Sequence, residues 1–405
     1  MKIRGGMDMK VETWKNGILV PVERPAEGAK GHCRLTHLGQ MAEEEDLRWL
    51  DSNALEKRAA MLSAAEKAAI AEAIGKGQAT LVNLSYDTLE EWKKRLEKEQ
   101  KPKKKVHLLA LGDVGSTVLM ALKLLGGDCI SQIGIYDMNE AVCKRWESEL
   151  NQAAYPWEYD KLPEVVILKE EELFDCDVFI FCASKGIPPV GSEVKDVRMA
   201  QYEANKGIVS IFAKKARIEK YEGLFAVVSD PVDPLCKAAF LASNADEAGQ
   251  FDGKGLRPEQ VQGYGLGVMN ARAAYYAKQD ERFASFLTEG RAFGPHGEDL
   301  VIANSIEHYD DALSKELSRL AIEANLRTRE LGFKPYVAPA ISSAAISILL
   351  TLRGEWHYSS NFLGGVYMGC KNRTTELGLE MEALPLPAAL YSRIEKAYQG
   401  LEAIL

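Results

Sequence analysis

The sequence predicts an α/β protein built on a doubly wound parallel sheet, with a mainly helical segment ahead of it. Two observations carry this. From Val106 onward, short apolar runs alternate with stretches of helical periodicity, the pattern of strands buried on both faces by crossover helices. Before that point the chain is rich in Ala, Leu, Glu and Lys, with apolar residues three and four apart. A length of 405 residues suits two or three structural units of roughly 100–200 residues each.

Residues 1–104 open with a strand-like run, Ile18 to Val22. Helical patterns follow over Glu43 to Leu50, Ser52 to Ile74 and Tyr86 to Gln100. Ser52 and Ser63 are the expected N-caps, and Gly75 and Gly77 stop the second helix. The segment closes on Lys101-Pro102-Lys103-Lys104-Lys105, read as a solvated linker. Strand Val106 to Leu111 comes next, then helix Val114 to Leu125, strand Ile133 to Tyr136 and helix Glu140 to Ala153. Further strands are expected at Val165 to Leu168, Val178 to Phe181 and Phe225 to Val228. The longest apolar stretch, Tyr336 to Leu352, is shorter than a membrane span and carries Ser342, Ser343 and Ser347. It reads as a buried helix.

Composition narrows the function. With a net charge of −9 and a pI near 5.4, the chain lacks the clustered Lys and Arg that phosphate backbones demand, so no nucleic-acid partner is expected. Seven scattered cysteines, an odd number, point to a reduced, cytoplasmic protein. Met1 to Lys10 lacks the apolar core of a secretion signal, and no membrane partner is expected. His32, Cys33 and His37 lie close in sequence, but no second pair completes a tetrahedral set, and no metal is expected.

The first strand runs into Ala110-Leu111-Gly112-Asp113-Val114-Gly115. Gly112 lets the backbone approach a pyrophosphate. Gly115 allows helix and strand to pack closely, and the helix N-terminus offers free N–H groups. Asp137 ends the second strand a little over 20 residues beyond Gly115. A carboxylate there accepts hydrogen bonds from ribose hydroxyls and repels a 2′-phosphate, so the expected cofactor is NAD on a Rossmann-type sheet.

Four further segments are informative: Gly112-Asp113-Val114-Gly115-Ser116-Thr117, Glu149-Leu150-Asn151-Gln152-Ala153, Ser229-Asp230-Pro231-Val232-Asp233 and Gly294-Pro295-His296-Gly297-Glu298. In order and approximate spacing they resemble the lactate/malate dehydrogenase family. The resemblance runs from residue 106 to about 305, and more loosely to the C-terminus. It implies a dinucleotide-binding domain over 105–235 and an α+β substrate domain over 236–405, with residues 1–104 outside it. It also implies hydride transfer between NAD and a small 2-hydroxy or 2-keto acid, in a homodimer or homotetramer. His296 is the implied acid/base, a role suited to the one side chain that ordinarily titrates near neutral pH. Arg272 is the implied carboxylate grip, with a planar two-donor fork. Arg198 is the implied mobile-loop cation that polarises the carbonyl. Gly112, Asp113, Val114, Gly115, Asp137 and Asp230 are the implied cofactor contacts.

Two departures qualify the resemblance. The family carries an aspartate three residues before the carboxylate-binding arginine, where it orients the histidine; here that position is Met269. The family's asparagine in the strand-end motif is Asp230. This carboxylate is expected near the nicotinamide, where it would partly replace the missing charge beside His296. It would also repel an anionic substrate and attract an ammonium or iminium group. Two alternatives therefore stay open: an amino/imino acid dehydrogenase that uses Asp230 to bind a cationic group, and an NAD-binding regulatory protein that has lost catalysis. The stretch Ser184 to Val197 is longer than the family's loop, so the residue selecting the substrate side chain is not assigned.

Overall fold

A computed structural model of the chain describes residues 11–15, 17–22, 32–42, 46–53, 62–83, 88–97, 102–185, 197–375 and 378–404. The first strands are β1 (Glu12–Trp14), β2 (Gly17–Val22), β3 (His32–Arg34) and β4 (Ala79–Asn83). Helices α1 (Gly39–Ala42), α2 (Ala64–Gly75) and α3 (Leu89–Glu97) accompany them. Ser63 caps α2 through a reciprocal pair with Glu66, and Gly75 ends it, with Gly77 at φ +68° just beyond. Ser52, the other expected cap, sits in a turn where its N–H reaches Leu384 O, and the residues that would follow it in a helix, 54–61, lie outside the described residues.

Among the described residues of 1–104, four short strands stand beside the expected helices. β2 and β4 run parallel across α2, β3 pairs antiparallel with β4, and β3 continues into the main sheet beside the strand Gly378–Met381. Local periodicity favoured helices because the strands are three to six residues long and pair with distant segments. The Trp49 turn, Leu47–Leu50, then packs into a core that also holds Phe293, Val301, Leu363, Met368 and Leu390.

The central strands are β5 (Lys104–Leu109), β6 (Ile130–Tyr136), β7 (Glu164–Ile167), β8 (Val178–Phe181), β9 (Leu224–Val227) and β10 (Val261–Gly263). Their spatial order is β7-β6-β5-β8-β9-β10, all parallel. This is the doubly wound order, with ligands expected where the order reverses, beyond the carboxyl ends of β5 and β8. Helices α4 (Asp113–Leu125), α5 (Glu140–Asn151), α6 (Val197–Ile218) and α7 (Val232–Ser243) connect them. The strands from Val106 to Phe225 lie where the sequence placed them. β10 went unseen because it has three residues, one of them Gln262, and runs into a glycine-rich turn. The lysine-rich linker is partly strand: Lys104 opens β5, and Lys105 Nζ meets Asp175 at 2.9 Å.

The remaining elements are α8 (Leu266–Ala277), α9 (Phe286–Glu289), β11 (Arg291–Phe293), β12 (Val301–Ala303), α10 (Asp311–Glu330), a π-helix (Pro339–Ile346), α11 (Ser347–Arg353), β13 (His357–Leu363), β14 (Val366–Thr375), β15 (Gly378–Met381) and α12 (Ala388–Glu402). β13 to β15 extend the sheet antiparallel from β10, while β11 and β12 form a separate pair. The apolar stretch from Tyr336 is the π-helix followed by α11, with Ala340, Ala344 and Ile348 buried. No helix among the described residues is long and apolar enough to cross a membrane.

His357 gives this core a pH dependence. It is buried, its Nδ1 donates to Glu355 O at 3.0 Å, and its Nε2 meets Thr351 Oγ1 at 3.0 Å. Burial lowers its pKa to about 4. An unfolded histidine titrates near 6.5, so only the unfolded chain takes up this proton between those values. The contribution is complete above about pH 6.5 and is lost as pH falls toward 4, by an order of magnitude of 2–3 kcal/mol. Urea unfolding at pH 7.5 and 5 should show this loss, and His357→Gln should flatten it. An unchanged slope in that variant would reject the assignment.

Candidate active site

The glycine turn lies between β5 and α4. Ala110 donates its N–H to Tyr136 O and adopts φ +74°, the left-handed conformation that glycine takes most easily. A Cβ on Gly115 would stand 1.9 Å from Ala110 O, so this helix can lie against the turn only with glycine there. A Cβ on Gly112 would meet nothing within 4 Å; the space in front of the helix N-terminus is open, as a passing pyrophosphate needs. Val114 packs partly buried against the sheet core. Asp113 is paired instead, with Lys334 Nζ at 2.9 Å, across the turn that leads into the π-helix.

Asp137 is joined to this turn. Its Oδ2 accepts the N–H of Leu111 at 2.8 Å and its Oδ1 the N–H of Asn139 at 2.9 Å. Each carboxylate oxygen keeps a second lone pair, so ribose hydroxyls can still be accepted. The bond to Leu111 ties the ends of two strands together, so Asp137 shapes the turn.

The ends of β8 and β9 are cross-braced. Ser229 Oγ donates to Ala183 O at 2.7 Å. Asn205, fully buried on α6, donates to Asp230 O at 2.8 Å and accepts the N–H of Lys185 at 3.0 Å. Asp230 precedes Pro231 through a cis peptide bond. Asp233 is buried and accepts from Ser360 Oγ on β13. Cys182, at the end of β8, has its thiol pushed up to about 12 by burial, so it stays protonated and is no nucleophile.

His296 stands in the loop between β11 and β12. Its Nδ1 meets Gly265 O at 3.0 Å. A carbonyl can only accept, so Nδ1 carries the proton and Nε2 is the free nitrogen. Gly265 heads α8, and Arg272 lies two turns along, about 10 Å at 1.5 Å per residue. Arg272 is held against α10: Nη1 reaches Ala321 O at 3.4 Å and Met269 Sδ at 3.5 Å, and Nη2 donates to Asn325 Oδ1. Burial lowers its pKa, while Tyr276 and Asp230 act the other way. Part of the five-donor fork remains for a ligand.

Asp230 does not take the place left by Met269. Among the described residues its side chain makes no hydrogen bond to His296, while its charge raises the pKa of Arg272. The buried Met269 packs in the apolar core between α8 and α10. A main-chain carbonyl orients His296 instead, and no residue pattern announced it. Arg198 falls in the first turn of α6, but its side chain and residues 186–196 lie outside the described residues.

Cavities of about 270 Å³ and about 1080 Å³ lie elsewhere, the first against Gly267, Asn270 and Trp356, the second at the amino ends of β5, β8 and β9; neither is lined by His296, Arg272 or Asp230. Cys33 and His37 join no metal-capable group among the described residues; Glu289, Glu307 and His308 converge at the surface.

No protein-family description matches the sequence, and no curated protein is significantly similar to it. Solved structures do match. A minor L-lactate dehydrogenase from Enterococcus mundtii aligns at 18% identity and a TM-score of 0.61, over 75% of this chain and 98% of its own. A malate dehydrogenase from Archaeoglobus fulgidus, solved with NADH, aligns at 18% and 0.60, over 74% and 98%. One from Picrophilus torridus aligns at 17% and 0.59, over 75% and 96%. With six parallel strands in doubly wound order and these neighbours spanned nearly end to end, the chain has the fold of lactate and malate dehydrogenases.

Proposed function

We propose that the chain is an NAD-dependent oxidoreductase acting on a small 2-hydroxy or 2-keto acid. The observation that carries this is the seating of His296, with Nδ1 spent on Gly265 O and Nε2 free, at the head of the helix that bears Arg272. Asp137 would hold the ribose and the N-terminus of α4 the pyrophosphate, with Gly112 and Gly115 leaving the room. NAD, when bound, supplies the hydride acceptor in one direction and the donor in the other. His296 Nε2 takes the proton of the substrate hydroxyl, or returns it to the carbonyl oxygen. The remaining donors of Arg272 hold the carboxylate, and Arg198 polarises the carbonyl from the loop ahead of α6.

A second reading keeps the cofactor and changes the substrate to a 2-amino acid. Asp230 favours it: its charge acts on Arg272, and next to a carboxylate held by Arg272 an ammonium group would meet an opposite charge. The test is a panel of 2-keto acids assayed with NADH, with and without ammonia. Ammonia-independent turnover is expected. Turnover only with ammonia selects the second reading. Saturable NADH binding without any turnover points to an NAD-binding regulatory protein and rejects both.

A further inference from the structure

Helix α8 starts at Gly265, which has no side chain to cap it. The cap comes from another element. Ser343, in the π-helix, accepts the N–H of Val268 at 2.8 Å and donates its hydroxyl to Gly265 O at 2.5 Å. An N-cap serine ordinarily takes the N–H of the third helical residue from its own chain position; here a side chain 75 residues on does so. Close packing keeps it in place: a Cβ on Gly267 would stand 2.6 Å from Ser342 O. Gly265 O thus receives two donors, the hydroxyl of Ser343 and Nδ1–H of His296. A carbonyl has two lone pairs, so both bonds are satisfied at once. His296 has no other hydrogen-bond partner among the described residues.

We propose that Ser343 is a positioning residue for His296. By fixing the Gly265 peptide from behind, it holds the imidazole as the Nδ1–H tautomer and keeps Nε2 as the basic nitrogen. The pair of a hydroxyl and a carbonyl does this with no net charge, where the histidine has no bonded carboxylate. Without the hydroxyl, the buried N–H of Val268 loses its partner. The Gly265 peptide can then turn, and the ring can exchange tautomers.

The test uses the full-length chain labelled with ¹⁵N-histidine and a two-bond ¹H–¹⁵N correlation, which distinguishes Nδ1–H from Nε2–H. Wild type and Ser343→Thr, which keeps the hydroxyl, should show His296 as Nδ1–H. Ser343→Ala should show a mixture of both forms. Ser343→Cys, of nearly the same size but a weak donor, should do the same and covers a failure of the alanine variant to fold. A wild-type signature of Nε2–H, or an unchanged Nδ1–H signature in the alanine or cysteine variant, would overturn the proposal. Its kinetic consequence rests on His296 being the acid/base: kcat should fall about tenfold at unchanged KM, with threonine restoring it. Absence of turnover in wild type would sink the oxidoreductase reading alone, because the tautomer measurement needs no turnover.

Discussion

Replacing His296 with alanine should lower kcat by about a hundred- to ten-thousandfold, with NADH affinity nearly unchanged. The reason is the division of labour in the site. The glycine turn and Asp137 sit at the ends of β5 and β6, whereas His296 hangs from the β11–β12 loop and touches the rest through one bond to Gly265 O. Removing the imidazole takes away the proton acceptor and leaves the turn around Gly112 intact. Steady-state turnover and fluorescence titration with NADH, measured on one preparation, separate the two effects. Equal activity in wild type and His296→Ala would remove His296 from the chemistry.

The second large effect is structural. Trp49→Ala should cost about 3–5 kcal/mol, the usual price of truncating a fully buried tryptophan. Trp49 is 1% exposed in the turn that docks residues 47–53 on the C-terminal part of the chain. Leu384 donates to Leu50 O at 2.9 Å, and Ser52 to Leu384 O at 2.8 Å. The same core reaches Phe293 and Val301, which flank the loop of His296. Denaturation followed by tryptophan fluorescence and by NADH binding should therefore shift together to lower urea. If fluorescence moved early while NADH binding kept its wild-type midpoint, the N-terminal strands would be an independent appendage after all.

The half of the site written in consecutive residues was legible in the sequence. Ala110 to Gly115 and Asp137 follow the ends of two adjacent strands, and their arrangement follows from local rules: a left-handed turn, a close helix, a carboxylate at a strand end. The substrate half was legible as residue names but not as bonds. His296, Arg272 and Asp230 come from three different elements, and among the described residues Asp230 makes no hydrogen bond to the imidazole expected for it. The partner that orients His296 is a backbone carbonyl, which every residue possesses and no residue type can advertise.

Residues 1–104 divide in the same way. Ser63 and Gly75 marked α2 because caps act within one turn. Strand β2 was legible as an apolar run, but β1, β3 and β4 escaped notice because they are three to five residues long and are stabilised by pairing within a sheet that continues into β15, far along the chain. By itself the sequence determined the doubly wound sheet and the glycine turn, products of short-range periodicity and backbone freedom, while the histidine was singled out by the family resemblance. Only the tertiary structure decided that the N-terminal strands extend that sheet, and that Ser343 and Gly265 stand behind His296. Those contacts join residues tens to hundreds of positions apart, and packing, not pattern, selects them.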